Sequence, residues 1–380
     1  MFYWLATAVP LLFLSHSFSG ALEAAQRFDL LNAVKVPLRV LSFLIPLLGL
    51  TMGCQLPGII GLMVLTTCVA LAVLVLMSIR AIPELRRPAF RSDLMPRLFA
   101  FGGWITISGI VNPLLTYLDR FLVASLLGVA AMAYYTAPHE AATRILFIPG
   151  GLATALTPAF STLLGSGDHQ VGEEVFARSV KYILLAVGPI ALTLGLFADD
   201  ILRLWLGAEF ASRGAVVLMI VSIGVFMNSV AHVPHALLLG RGRPDIPAKF
   251  HVLELPVHVL AAWALIHRWG VTGAAAAWTF RVTLDASLLF LAAGRIFGLK
   301  RGLTLARKVA FPGIALLLLA GGAYVTTSLT GAYSLVVQSV AFGTLLVAFA
   351  WFAWNAILDT RDRTAVATAF GQLRASRRKM

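Results

Sequence analysis

Residues 98–165 are apolar for long enough to cross a bilayer twice, yet they carry Asp119, Arg120, His139, Glu140 and Arg144. A charge at bilayer depth costs about 2.5–3.5 kcal/mol even on the mild insertion scale. A plain bundle has no need of that cost, so groups of this kind mark a watery cavity, an ion path or an anionic ligand. Gly128 reads as the turn of the hairpin. Asp119 precedes it by nine residues and Glu140 follows it by twelve, and at about 1.5 Å per residue both lie roughly 14–18 Å below one surface. Glu140 and Arg144 are spaced i,i+4, where one helix face lets them neutralise each other.

Three further acids and bases fall in the same layer. Arg281 and Asp285, a second i,i+4 pair, follow Gly270 by eleven and fifteen residues, which is roughly 16–22 Å deep. Glu254 precedes Arg268 by fourteen residues and reaches a comparable depth. Arg120, Arg144 and Arg281 are therefore the candidates for holding an anion through charge-assisted hydrogen bonds. Asp119, Glu140, Glu254 and Asp285 are the candidates for holding those arginines or carrying coupling protons or sodium. His251, Glu254 and His258 share a helix face, as metal ligands can, but no second ligand set lies near, and proton relay or hydrogen bonding suits them better. No metal site is assigned. His232 and His235 flank Pro234 and read as packing residues beside a kink. Asn112-Pro113 is a candidate hinge, since proline frees a carbonyl inside a membrane helix and permits bending.

The elements that carry these groups follow from composition. The chain of 380 residues is 59% hydrophobic and 12% charged, with a mean hydropathy of +0.88, far from ordinary soluble usage. It predicts an all-α, polytopic membrane protein with about eleven transmembrane helices near 2–18, 37–54, 57–79, 98–127, 131–164, 180–206, 213–239, 248–268, 271–295, 309–329 and 333–357. The runs are too long and too uniform for barrel strands. The organisation expected is a partial helical lobe at 1–79, a basic linker at 80–97, a six-helix lobe at 98–296, an added helix pair at 309–357 and a basic tail at 358–380.

The net charge of +13 is not a nucleic-acid footprint, because 24 of the 30 Lys and Arg fall in alternate loops and the tail. That is a positive-inside pattern. It places the basic loops and the C-terminus in the cytoplasm against anionic lipid. Val366, Ala369, Phe370 and Leu373 share one face of an expected in-plane helix in the tail. Cys54 and Cys68 read as packing residues. No nucleophile–base pair in a soluble-site setting appears, which disfavours an enzyme. The helix parity puts the N-terminus outside, and Met1 opens directly into an apolar run. Three helices are thus expected to be missing from the start.

The hairpin and its surroundings resemble the polysaccharide biosynthesis family of lipid-linked oligosaccharide (O-antigen type) flippases, within the multidrug/oligosaccharidyl-lipid/polysaccharide exporter superfamily. The residues that carry the likeness run from Phe101 to Pro113, then Tyr117, Asp119 and Arg120, then Tyr134 to Pro138, Ile148-Pro149 and Leu156 to Ser161. Leu204 to Gly207 and, upstream, Gly20 to Asp29 add to it. The resemblance implies two six-helix lobes with two added helices. It implies movement of an undecaprenyl-diphosphate-linked oligosaccharide to the periplasmic leaflet of the bacterial inner membrane during O-antigen, capsule or exopolysaccharide assembly. It also implies no cofactor, coupling to H+ or Na+, and association with other polysaccharide-assembly membrane proteins. The alternatives weighed are a cation-coupled multidrug exporter, a membrane glycosyltransferase or polymerase of the same pathway, and an inactive truncated flippase.

Overall fold

Prolines sit inside most of the long helices, and in lipid that is tolerated because neighbouring groups take up the carbonyls they free. The computed structural model describes residues 2–51, 53, 55–86, 92–297, 302–330 and 335–364. They are all-α, with no strand among the described residues. The chain divides into two compact units, Met1–Arg97 and Leu98–Met380.

The first unit holds α1 (Phe2–Ala24), α2 (Phe28–Thr51) and α3 (Leu56–Ala81). Leu22, Leu31, Val34 and Leu74 form its core. The apolar run of the second helix was expected from residue 37, but the helix begins at Phe28. Asp29 and Lys35 belong to its first turns, and hydropathy locates the lipid-facing middle of a helix rather than its ends.

The second unit holds α4 (Met95–Leu127), α5 (Val129–Thr143), α6 (Phe147–Gly165), α7 (His169–Leu196), α8 (Ala198–Leu206), α9 (Ala208–Gly240), α10 (Asp245–Trp269), α11 (Val271–Phe297), α12 (Gly302–Thr330) and α13 (Leu335–Phe352). Gly128 makes the whole turn between α4 and α5 at φ 92°, a conformation that side chains with a Cβ avoid. The helix expected over 131–164 is interrupted by a 3₁₀ turn at Arg144–Leu146. Pro149 has no N–H to offer the carbonyl of Ile145, so the α ladder tightens there. The run 180–206 likewise divides at Phe197 into α7 and the short α8, and Asp168 caps α7 by accepting from the Val171 N–H at 3.3 Å.

Two large cores and two smaller apolar clusters hold this unit. Phe160, Phe176, Val180, Val187, Leu237, Leu316 and Phe349 form one, so α12 and α13 share packing with α6, α7 and α9. Tyr135, Leu202, Val217, Val221, Val225, Ile266 and Trp278 form the other, around α9. Helix α9 approaches its neighbours at backbone distance: a Cβ on Gly240 would lie 2.6 Å from the Thr157 carbonyl, and one on Gly224 would lie 2.4 Å from the Trp278 ring. Large apolar side chains such as Phe43, Leu317 and Trp351 face outward instead, as lipid-facing residues do. Among the described residues, nine helical segments are long and apolar enough to cross a membrane. This is a multi-pass membrane protein.

Candidate functional site

Helices α4, α5, α9, α10 and α11 line a cavity of about 390 Å³ in the second unit. Among the binding, coupling and hinge candidates, Asn112, Arg120, Glu140, Arg281 and Asp285 line it, with His139 and His251. Asp119 and Glu254 are buried behind the wall. Arg144 is not among the lining residues, and its side chain is 83% exposed. Pro113 lies within α4, one residue from the lining Asn112.

The i,i+4 contact of Glu140 with Arg144 is present, Arg144 Nη2 reaching Glu140 Oε2 at 3.4 Å, but the shorter contact comes from the neighbouring helix, where Arg120 Nη2 on α4 donates to Glu140 Oε1 at 2.5 Å. Arg281 was expected to pair with Asp285, but its guanidinium lies 3.7 Å from Glu254 on α10. Arg120 also stacks over Tyr117, 5.1 Å from the ring centroid. That seats its charge against the cavity wall.

Below the wall, Asp119 is fully enclosed. Tyr135 donates its hydroxyl to Asp119 Oδ2 at 3.2 Å, and His258 Nε2 stands 2.8 Å from Asp119 Oδ1. A buried carboxylate requires such company, since isolated charge in a dry interior is costly. On the shared face of His251, Glu254 and His258, Glu254 stands 3.7 Å from Arg281 and His258 stands 2.8 Å from Asp119, while His251 lines the cavity. Among the described residues, no group of three or more His, Cys, Asp or Glu is placed to hold a metal ion.

Sequence reasoning named His139 and His251 among the intramembrane polar groups but read His232 and His235 as packing residues. His139, His232, His235 and His251 all line the cavity, with Thr116, Thr143, Asn228 and Trp278. His232 and His235 both line the cavity from α9. Their three-residue spacing, which places both on one helix face, was the available signal. His139 Nδ1 and Nε2, Arg120 Nε and Arg281 Nε have no hydrogen-bond partner among the described residues. The lining is therefore mixed in charge, rich in donors, and unsaturated.

Away from the cavity, the chain after α13 is tied to α7. Lys181 Nζ and the Tyr182 hydroxyl both donate to Asp362, and Arg178 bridges Glu174 and Asp359 at 2.9 and 3.1 Å. Burial works to raise the Asp362 carboxyl, but those hydrogen bonds and the Asp359 N–H outweigh it and hold the group below its ordinary value. The rest of the expected tail helix, from Val366, lies outside the described residues.

The model of the polysaccharide biosynthesis protein family matches residues 4–213, more than half of the chain. The chain belongs to that family. The matched range includes Asp119, Arg120 and Glu140 and stops before His232, Glu254 and Arg281. A Shigella flexneri protein named as an O-antigen transporter is 27% identical over 288 residues, which cover 76% of this chain and 68% of that one. A Haloferax volcanii protein named as a low-salt glycan biosynthesis flippase is 25% identical over 195 residues, covering 51% of this chain and 40% of that one. The chain thus spans about two thirds of the first relative and less than half of the second. Among solved structures, lipid II flippase MurJ in an inward closed conformation aligns with a TM-score of 0.59 at 13% identity, covering 92% of this chain and 73% of that chain. The likeness is one of fold.

Proposed function

We propose that this protein flips a lipid-linked oligosaccharide, an undecaprenyl-diphosphate-linked sugar unit, from the cytoplasmic to the periplasmic leaflet of the bacterial inner membrane, with its C-terminus in the cytoplasm. The observation that carries the proposal is the placement of Arg120 and Arg281 on one cavity, within membrane-spanning helices. A polyprenyl tail stays in lipid at no cost, whereas a diphosphate head needs a polar route through hydrocarbon. Planar guanidiniums hold phosphate oxygens bidentately. Asn112, Thr116, Thr143 and Asn228 supply neutral hydrogen-bonding groups that suit sugar hydroxyls. The names of the Shigella and Haloferax relatives support the same class of substrate.

In this scheme Arg144, on the 3₁₀ turn, is a third cation available to the head group. Glu140 and Glu254 hold the arginines while the cavity is empty, and with Asp119 and Asp285 they couple transport to H+ or Na+. Asn112-Pro113 acts as the hinge at which α4 flexes between the two access states. Partner proteins of surface-polysaccharide assembly would supply the substrate and collect it.

The test is reconstitution of the full chain in proteoliposomes with a fluorescent lipid-linked oligosaccharide, measuring its accessibility to a membrane-impermeant quencher. Wild type is expected to move it, and Arg120→Ala and Arg281→Ala to insert but not move it. Folded wild type that moves none of the lipid overturns the proposal. For orientation, a reporter active only in the periplasm should work when fused after Gly270 and stay silent after Arg363. The reverse pair of results overturns the topology.

A further inference from the structure

The charged lining of the cavity is balanced. Arg120 and Arg281 face it together with Glu140 and Asp285, and both guanidiniums already stand beside carboxylates, Glu140 at 2.5 Å and Glu254 at 3.7 Å. An anionic head group entering this space brings negative charge into a low-dielectric interior, where uncompensated charge is strongly disfavoured. New positive charge must arrive with it. The remaining ionisable lining groups are Tyr117 and the four imidazoles, His139 on α5, His232 and His235 on α9, and His251 on α10. Imidazole is the side chain that gains charge within the neutral range.

The geometry leaves acceptor nitrogens in place. His251 Nδ1 and both nitrogens of His139 have no hydrogen-bond partner among the described residues. His232 places Nδ1 2.8 Å from the Asn228 carbonyl oxygen, so Nδ1 carries the hydrogen and Nε2 is the nitrogen that accepts a proton. His232, His235 and His251 line the same cavity, so like charges on them oppose one another until an anion sits among them. The charged groups that surround it are Arg120 on α4, Glu140 on α5, Glu254 on α10, and Arg281 and Asp285 on α11, with the Asp119–His258 pair behind the wall.

We propose that the cavity binds its anionic head group together with protons, taken up by His232, His235 and His251, so that affinity for a diphosphate rises as pH falls. The proposal rests on the diphosphate reading of the cavity. In each step a proton leaves hydronium in the entering water and bonds to the imidazole lone pair. The new N–H donates to a phosphate oxygen. When the head group departs, the N–H bond breaks and the proton returns to water. Three of the four carboxylates face nitrogen, Glu140 toward Arg120, Asp119 toward His258 and Glu254 toward Arg281, which leaves few free oxygens for a hard cation that needs an oxygen cage.

The experiment is calorimetric titration of the full chain in nanodiscs with UDP-N-acetylglucosamine, a soluble diphosphate diester whose phosphates stay ionised over the neutral range. Buffers of differing ionisation heat report the protons taken up per molecule bound. Wild type is expected to take up one or more, with Kd weakening by about tenfold per unit rise in pH for each linked proton. The triple variant His232→Gln, His235→Gln, His251→Gln should lose both the uptake and the pH slope. The single His235→Gln should lower the slope even where the triple variant does not fold. Binding by wild type without proton uptake overturns this inference and leaves the diphosphate reading intact. No binding by wild type overturns both. A folded triple variant that keeps full uptake also overturns the inference, because the acceptors would then lie elsewhere.

Discussion

Arg120 on α4 and Glu140 on α5 meet at 2.5 Å across the hairpin, whereas Arg144, on the same strand of chain as Glu140, reaches it only at 3.4 Å. One carboxylate thus serves an arginine that lines the cavity and another that points away from it. The contrast separates two arginines that look equivalent in the sequence.

Arg120→Ala is expected to cut surface polysaccharide more than Arg144→Ala, because only Arg120 combines the short contact with a place on the cavity wall. Removing the cation alone strands Glu140, while removing both charges avoids that penalty. The double variant Arg120→Gln, Glu140→Gln should therefore recover the thermal stability of wild type and still fail to export. A double variant with full export would assign this pair to structure.

Arg281 should tolerate lysine only in part. Lys restores the charge but not the planar fork, and charge-assisted hydrogen bonds contribute about 1.5–3 kcal/mol each. Binding of a diphosphate probe should weaken roughly ten- to a hundredfold in Arg281→Ala, with Arg281→Lys between that and wild type. Equal binding by all three would remove Arg281 from the site.

The glycines of α9 set how closely α6 and α11 approach. Gly240→Ala drives a Cβ to 2.6 Å from the Thr157 carbonyl, which is backbone and cannot rotate away. A loss of about 1–3 kcal/mol follows from overpacking of this kind. Gly224→Ala instead pushes on the Trp278 ring, 2.4 Å away, and Trp278 lines the cavity. Thermal melts should show the larger loss for Gly240→Ala. Probe affinity should change for Gly224→Ala.

The anchor of the chain at Asp362 should be insensitive to mild acid. A carboxyl held below its unfolded value contributes stability above that value and loses it as pH falls through the folded one. Since Asp362 is held down by its donors, protection persists through neutral pH and fades only below about pH 4, the ordinary carboxylate range. Hydrogen exchange over 359–364 should follow that course. Asp362→Asn should expose the segment at every pH, with a loss of about 3 kcal/mol from leaving Lys181 without its buried partner. An unchanged exchange profile in Asp362→Asn would show that the anchor lies elsewhere.

The sequence alone determined that this is an all-α membrane protein. Hydropathy is a local property, and a rise of about 1.5 Å per residue converts sequence distance into depth. By the same rule Asp119, Glu140, Glu254, Arg281 and Asp285 fell into one layer before any packing was known. What tertiary structure alone decided was who meets whom. Arg120 with Glu140, Arg281 with Glu254 and Asp119 with His258 are contacts between different helices, and no spacing along one helix reports the rotation of its neighbour. His232 and His235 stayed hidden because lipid, like the bundle interior, favours apolar side chains. A membrane helix is therefore apolar on every face, and its hydrophobic pattern does not say which face turns inward.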